Sequence, residues 1–201
     1  CNQIGINKPI ILLEPVGKNT APAIAAAAFY SESHFQDAIL LVLSADHLVQ
    51  DVKEFHKSIN LAIIEAKKSK LVIFGVKPIS ANTNYGYIKI SKSNKDKHVY
   101  QVENYVEKPD IKTAESYLNS GNYLWNSGMF IFKSNTLIKE LSVSAPDVVS
   151  SIKNAVKNAI YDLDFIRLNK EDFLSSPSDS IDYALMEVSE NVVVVTLDAK
   201  W

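Results

Sequence analysis

A single aspartate stands where a buried strand would present a carboxylate to a ligand. Residues 40–44 read LLVLS and are followed at once by Ala45, Asp46 and His47. Such a short apolar run predicts a strand buried on both faces of a parallel sheet. Open α/β sheets bind ligands at the carboxyl ends of their strands, so Asp46 is placed to hold Mg²⁺ against phosphate oxygens. The alternative is that Asp46 only caps the next helix.

Glu107 and Lys108 form a second candidate, because they close a predicted strand over residues 99–106. Pro109 favours an extended backbone at Lys108. Lysine can supply a point charge to a phosphate, and glutamate can accept hydrogen bonds from sugar hydroxyls. Strict alternation along a strand would send the two side chains to opposite faces, so they serve one ligand only if the strand twists or ends there. A surface ion pair is the alternative.

A strand-to-helix turn is a third candidate. Residues 8–13 (KPIILL) predict a strand, and the alanine-rich residues 23–29 predict a helix. Thr20 can cap this helix, and Pro22 suits its first turn. Free N–H groups at the helix N-terminus would then favour an anion. A well-capped structural helix is the alternative.

Two further segments place glycine beside polar or aromatic groups. Gly86 lies near the start of a predicted strand over residues 85–90, where glycine often marks a bulge or a close approach of the backbone to a ligand. Asn126 and Ser127 precede Gly128 in a segment that predicts a loop before a strand over residues 129–132. The alternative for this second segment is a simple turn.

The elements that must position these residues follow an α/β pattern. Strands over residues 8–13, 38–44 and 71–76 alternate with helices, the second of them amphipathic over residues 51–69. This alternation predicts a doubly wound parallel sheet with right-handed crossovers. A turn at residues 93–96 then suggests that part of the sheet is antiparallel. The later segments predict mostly helix over residues 135–174, a short helix over residues 180–187 and a last strand over residues 192–197. We therefore predict an α/β fold with a mixed, mostly parallel sheet flanked by helices.

Composition excludes several classes of function. The 201 residues suffice for one α/β domain, and a net charge of -2 gives no reason to expect nucleic acid or an acidic membrane as partner. No apolar run approaches the ~20 residues that cross a bilayer. The single cysteine fits a reducing, cytoplasmic compartment. The four histidines have no zinc-ligand spacing. No GxGxxG, P-loop or GxSxG motif is present.

Taken in order, these motifs resemble the mannose-1-phosphate guanylyltransferase family. The matching stretches are EPVGKNTAPAIAAAAF (14–29), LVLSADHLVQD (41–51), FGVKP (74–78), NYGYIKI (84–90), VENYVEKPD (102–110), YLWNSGMFIFK (123–133), SIDYALME (180–187) and VVVVTLDAKW (192–201). The resemblance is strongest to the bacterial type often fused to a phosphomannose isomerase domain. It implies a Rossmann-like nucleotidyltransferase fold that uses Mg²⁺ to make GDP-mannose and pyrophosphate from GTP and mannose 1-phosphate, in polysaccharide biosynthesis.

The resemblance also implies roles for individual residues. Asp46 would bind Mg²⁺, and Lys108 would hold the sugar phosphate, so these two would carry catalysis. The substrate-binding residues would be Glu14, Asn19, Thr20 and Ala21 at the guanine, His47 beside the metal, and Gly86, Glu107 and Asn126 at the sugar. A homodimer stands as an expectation, since the sequence does not fix the oligomeric state.

The sequence departs from the family's pattern in three ways. The Gly-rich signature that cradles the triphosphate should precede Cys1. The family continues past Trp201 with Ser-Asp-Val-Gly-Ser-Trp, whose aspartate is a second metal ligand. Lys18 and Lys200 stand where arginine and glycine are usual; Lys18 keeps the charge but loses the bidentate fork.

From these departures we expect residues 1–201 to form one nucleotidyltransferase domain truncated at both ends and inactive alone. Two rival functions stay open. One is a transferase for another sugar 1-phosphate or another base. The other is a non-catalytic homologue that binds a sugar nucleotide as a regulatory module.

Overall fold

The structure is a computed structural model that describes residues 5, 9–91, 98–199 and 201. The predictions for residues 8, 93–96 and 200 lie outside these described residues. The chain divides into two compact units, the first formed by Cys1–Gln36 with Ile138–Leu185 and the second by Asp37–Leu137 with Met186–Trp201.

The secondary structure alternates strands and helices over the first third of the chain, as predicted. The strands are β1 (Ile11–Leu13), β2 (Ile39–Val42), β3 (Leu71–Val76), β4 (Tyr87–Ile90), β5 (Val99–Val106), β6 (Tyr123–Lys133), β7 (Ile160–Asp162), β8 (Phe165–Arg167) and β9 (Val192–Thr196). The helices are α1 (Thr20–His34), α2 (Val52–Lys67), α3 (Ile111–Ser120), α4 (Ser134–Ser144), α5 (Pro146–Lys157) and α6 (Lys170–Ser175), with a π-helical turn over Asp182–Met186.

The first unit contains a small sheet in the order β1-β8-β7. β1 runs parallel to β8, and β8 pairs antiparallel with β7. The alanines of α1 let this helix pack closely against α5, with Ile24, Ala25 and Ala28 buried. The prediction of helix through residues 135–174 is wrong at β7 and β8, which pair antiparallel on either side of a turn at Leu163, whose φ is 53°.

The second unit contains a six-stranded sheet in the order β2-β6-β3-β9-β5-β4, in which β4 also pairs with β6. The prediction of a mixed α/β fold is confirmed. The expectation of a mostly parallel sheet is wrong for the described strands of this sheet, since β3 and β9 form its parallel pair and the other pairs are antiparallel. The cause is β6, which lies between β2 and β3 and runs antiparallel to both.

β2 is shorter and more exposed than predicted. It ends at Val42, and within the described residues it lies at an edge of the sheet and pairs with β6 alone. Leu41 is 38% exposed and Leu43 is 48% exposed. The prediction of a strand buried on both faces is therefore wrong here, and the chain leaves the sheet two residues earlier on its way to Asp46.

The core of the second unit lies between its sheet and α2. Phe74 of β3, Ile131 of β6 and Val195 of β9 are buried there with Ala62 and Ala66 of α2. Burying one such large side chain stabilises the fold by about 1.5–3 kcal/mol. This core fixes the strand ends from which the loops around residues 84–86 and 107–108 project, and it fixes the segment of β6 over residues 126–128.

Candidate functional site

Three residues predicted to bind a sugar come together in the second unit, around a fourth that sequence reasoning missed. Asn126 Nδ2 donates a hydrogen bond to Tyr105 Oη at 2.5 Å, and Tyr105 Oη donates one to Glu107 Oε2 at 3.1 Å. The backbone N–H of Asn126 donates to the carbonyl of Gly86 at 2.8 Å. We call Gly86, Tyr105, Glu107 and Asn126 the Tyr105 cluster. The signal available for Tyr105 was its position two residues before Glu107 in the sequence.

Gly86 belongs to the cluster because only a glycine fits there. A Cβ added at this position would overlap Glu107 Oε2 and lie 2.7 Å from Tyr105 Oη. The predicted close approach at Gly86 is therefore an approach of its backbone to these two side chains.

Asn126 lies within β6 rather than in the loop that was predicted for residues 122–128. The pairing of β3 with β6 shifts register between Ile73 and Gly75, opposite Phe130 and Asn126. The strand accommodates this bulge at Gly128, whose φ is 70°. Gly128 N donates to Asn126 Oδ1 at 2.9 Å, so both ends of the Asn126 amide have protein partners.

Lys108 lies beside the cluster in a conformation that the sequence did not predict. Its φ is 45°, so the extended backbone expected before Pro109 is wrong. β5 ends at Val106, which frees Glu107 and Lys108 from strand alternation, and Lys108 Nζ lies 3.4 Å from Glu107 Oε1. The Lys108 side chain is 62% exposed, whereas that of Glu107 is 15% exposed. A left-handed non-glycine residue costs about 1–3 kcal/mol and is typical of functional sites.

Asp46 is an exposed carboxylate in the turn after β2. Ser44 Oγ donates to Asp46 Oδ1 at 2.6 Å, and this hydrogen bond lowers the pKa of the Asp46 carboxyl below its ordinary value. Asp46 does not cap the next helix, because α2 begins at Val52 and Asp51 Oδ1 accepts from Glu54 N at 3.1 Å. The capping alternative for Asp46 is therefore wrong.

His47 faces the bulge of β6. A Cβ placed on Gly128 would lie 4.0 Å from His47 Cε1. Trp201 Nε1 donates to His47 Nδ1 at 3.0 Å, which fixes the ring. Gly128 in turn donates a hydrogen bond to Asn126, so His47 lies near the Tyr105 cluster.

The chemistry of Asp46 fits one ligand of a nucleotide-bound Mg²⁺. Within the part of the chain that the structure describes, no three His, Cys, Asp or Glu side chains form a metal-binding group. Mg²⁺ in nucleotide sites usually keeps several waters and takes one or two protein carboxylates together with phosphate oxygens. An ionised, accessible carboxylate such as Asp46 meets that requirement.

A cavity of about 820 Å³ in the second unit is lined by aromatic neighbours of the cluster. Tyr85 precedes Gly86 and Trp125 precedes Asn126, and their ring centroids lie 4.9 Å apart. The Trp201 ring lies 5.6 Å from Tyr85. The volume is in the range of small-molecule sites.

The predicted guanine residues of the first unit surround the start of α1. Asn19 rather than Thr20 is the N-cap: its φ is 67°, and its Oδ1 accepts from Thr20 N at 2.9 Å. Ala21 is buried, and its N–H donates to Asp179 O at 3.0 Å. Thr20 Oγ1 accepts from Ile181 N at 2.9 Å. The expectation of free N–H groups at Thr20 and Ala21 is therefore wrong, because residues 179–181 and the cap already use this helix end.

Glu14 and Lys18 lie in the loop before α1. Partial burial raises the pKa of the Glu14 carboxyl above its ordinary value, although the residue remains accessible. Lys18 Nζ donates to the carbonyls of Leu174 at 3.0 Å and Ser176 at 2.8 Å, at the end of α6. Lys18 thus ties its loop to the end of α6.

Comparison with known proteins identifies the family. The sequence profile of the family described as nucleotidyl transferase matches residues 2–176, and the chain belongs to this family. The chain is 49% identical over 193 residues to a mannose-1-phosphate guanylyltransferase of Salmonella muenchen, a match that covers 95% of this chain and 41% of that protein. It is 46% identical over 199 residues to the xanthan biosynthesis protein XanB of Xanthomonas campestris pv. campestris (strain B100), covering 99% of this chain and 42% of that protein. The chain thus spans about two fifths of the length of these curated relatives.

Solved structures agree with this assignment. The crystal structure of mannose-6-phosphate isomerase from Helicobacter pylori superposes with a TM-score of 0.87 at 33% identity, over 100% of this chain and 76% of that chain. The crystal structure of mannose-1-phosphate geranyltransferase from Thermus thermophilus gives a TM-score of 0.80 at 30% identity, over 92% of this chain and 52% of that chain. The predicted α/β class and the family resemblance are confirmed. Among the described residues, no helix combines the length and the apolar character needed to cross a membrane.

Proposed function

We propose that this chain forms the nucleotidyl-transfer part of an enzyme that makes GDP-mannose and pyrophosphate from GTP and mannose 1-phosphate. The observation that carries the proposal is the Tyr105 cluster with Lys108 beside it. A fixed carboxylate and a fixed amide suit sugar hydroxyls, and the adjacent ammonium suits the phosphate on the same sugar. Relatives named mannose-1-phosphate guanylyltransferase, 42–49% identical to the chain, support this choice of substrates.

The reaction is an in-line displacement. A phosphate oxygen of mannose 1-phosphate attacks the α-phosphorus of GTP, and the bond to the bridging oxygen of the leaving pyrophosphate breaks with its electron pair. The protein needs no covalent intermediate, so its contribution is positioning and charge neutralisation. In this scheme Lys108 holds the attacking phosphate, and Glu107 and Asn126 hold the sugar ring.

The nucleotide would be held mainly by the first unit. Glu14 would accept hydrogen bonds from the N–H donors of guanine, and Asn19, Thr20 and Ala21 would line the same base. Because the backbone N–H groups of Thr20 and Ala21 already have partners and Ala21 is buried, direct contact with the base would come from the exposed residues Asn19 and Thr20.

Asp46 is the residue of this chain that would hold Mg²⁺, with His47 beside it. When bound, Mg²⁺ would supply charge neutralisation at the phosphates. The hydrogen bond from Ser44 lowers the pKa of the Asp46 carboxyl and so favours the ionised form that this role needs. The homodimer and the cytoplasmic location stay predictions.

A coupled assay for pyrophosphate tests the proposal on the full-length protein that contains this chain. With GTP and Mg²⁺, we expect release that requires mannose 1-phosphate, is lost in Asp46→Asn and is retained in Asp147→Asn, an exposed aspartate in the first turn of α5. Equal release with glucose 1-phosphate would favour a different sugar specificity. Binding of GDP-mannose without any release would favour the regulatory module.

A further inference from the structure

We propose that Tyr105 is a positioning residue that sets the discrimination between mannose 1-phosphate and its C2 epimer, glucose 1-phosphate. It would act through Glu107 and Asn126 rather than by touching the reacting atoms. This inference rests on the proposed function, because it assumes that the Tyr105 cluster binds the sugar.

The Tyr105 hydroxyl is a fixed point between the two polar side chains. Tyr105 is 6% exposed, and its backbone pairs with Ile88 of β4, so its ring cannot follow a ligand. The hydroxyl accepts from the Asn126 amide, and its single proton is therefore directed to Glu107 Oε2. The hydroxyl thus joins the Glu107 carboxylate to an amide whose oxygen is already held by Gly128 N.

Glu107 depends on this hydroxyl for its orientation. Its other carboxylate oxygen is 3.4 Å from Lys108 Nζ, but the Lys108 side chain is mostly exposed and can move. The backbone of Gly86 lies against the Glu107 carboxylate, so close that a Cβ at residue 86 would overlap Glu107 Oε2. Without the Tyr105 hydroxyl, a long side chain with three rotatable bonds would be held by one mobile partner.

Epimer discrimination requires polar groups that do not readjust. Mannose and glucose differ only in whether the C2 hydroxyl is axial or equatorial. A site rejects the wrong hydroxyl arrangement strongly when its own polar groups would be left unpaired, and weakly when those groups can turn to follow the ligand. A carboxylate and an amide that share one buried hydroxyl meet the first condition.

Tyr105→Phe is the direct test, because it removes the hydroxyl and keeps the ring. On the full-length protein we expect the KM for mannose 1-phosphate to rise about tenfold, the effect of one hydrogen bond to a charged group. The preference for mannose over glucose 1-phosphate should fall by a similar factor, while the KM for GTP stays unchanged. Tyr117→Phe on α3 is the matched control and should change none of these values.

An unchanged preference in Tyr105→Phe would overturn the inference, as would an equal rise in the KM values for both substrates. Calorimetric titration with mannose 1-phosphate alone separates this result from failure of the proposed function. Should the wild type bind mannose 1-phosphate without turnover, and Tyr105→Phe bind it about tenfold more weakly while its binding of glucose 1-phosphate is unchanged, the proposed reaction fails and the role of Tyr105 stands. Should the wild type neither bind mannose 1-phosphate nor turn it over, both the proposed function and the role of Tyr105 are overturned.

Discussion

Replacing Gly86 with alanine tests whether the Tyr105 cluster is built as tightly as the structure indicates. The new Cβ would overlap Glu107 Oε2 and lie 2.7 Å from Tyr105 Oη, well inside a normal contact of about 3.5–4.0 Å. Both of these oxygens lie at the ends of their side chains and can move aside, so we expect the protein to fold. The overpacking should lower the free energy of unfolding by about 1–3 kcal/mol. The carboxylate of Glu107 must turn away and lose its bond to Tyr105. A hydrogen bond to a charged group contributes about 1.5–3 kcal/mol, which corresponds to roughly 10- to 150-fold weaker binding of mannose 1-phosphate.

Calorimetric titration with mannose 1-phosphate measures this effect, and thermal unfolding reports the stability cost. Gly17→Ala is the control, because a Cβ there meets no atom within 4 Å and its φ lies outside the left-handed region. We expect Gly17→Ala to bind mannose 1-phosphate as the wild type does. Wild-type affinity in Gly86→Ala would refute the reasoning, since it would mean that the position of Glu107 does not matter for the sugar.

Three further predictions concern residues around the cluster and the loops. Ser44→Ala removes the hydrogen bond that lowers the pKa of Asp46, so the carboxylate should protonate at a higher pH and the acid limb of the Mg²⁺-dependent pH–activity profile should move upward. Lys18→Met loses two charge-assisted hydrogen bonds and should lower the free energy of unfolding by about 1.5–3 kcal/mol in a denaturant titration, with Lys153→Met on α5 as the control. Lys108→Gly relieves a left-handed φ and should leave the melting temperature unchanged or higher, yet reduce kcat on the order of 100-fold. A wild-type pH–activity profile in Ser44→Ala would contradict the first expectation. A wild-type free energy of unfolding in Lys18→Met would contradict the second, and full activity in Lys108→Gly would contradict the third.

Local signals predicted much of the fold correctly. The predicted strands at β3 and β5 match their observed bounds, and α2 lies within its predicted range. These segments carry either a continuous apolar run or a clear helical period, and Asp51 supplies the cap of α2. The hydrophobic pattern of a segment predicts its secondary structure where that structure does not depend on contacts with distant residues.

β6 was missed as an eleven-residue strand because its decisive contacts are not local. Asn126, Ser127 and Gly128 are typical of a turn, yet pairing with β3 before and after the register shift holds them in the sheet as a bulge. The same applies to the start of α1. Its N–H groups look free in sequence, but Asp179 and the Asn19 cap occupy them in the folded unit.

The candidate site was predicted only in part. The resemblance selected Gly86, Glu107 and Asn126, and the structure brings these three together. Tyr105 escaped notice because the alternation of a strand does not tell which of its faces carries a site. The left-handed backbone of Lys108 was also unpredictable, since the following proline argues for an extended conformation. The roles of these residues in catalysis and binding stay predictions.

The formation of GDP-mannose is tested most directly by ³¹P NMR of the full-length protein with GTP, Mg²⁺ and mannose 1-phosphate. We predict that the GTP and sugar phosphate signals decrease together, while pyrophosphate and the paired resonances of a sugar nucleotide diphosphate grow in equal amounts. Growth of GDP and inorganic phosphate instead, or an unchanged spectrum from a folded protein that binds both substrates, would contradict the proposed reaction.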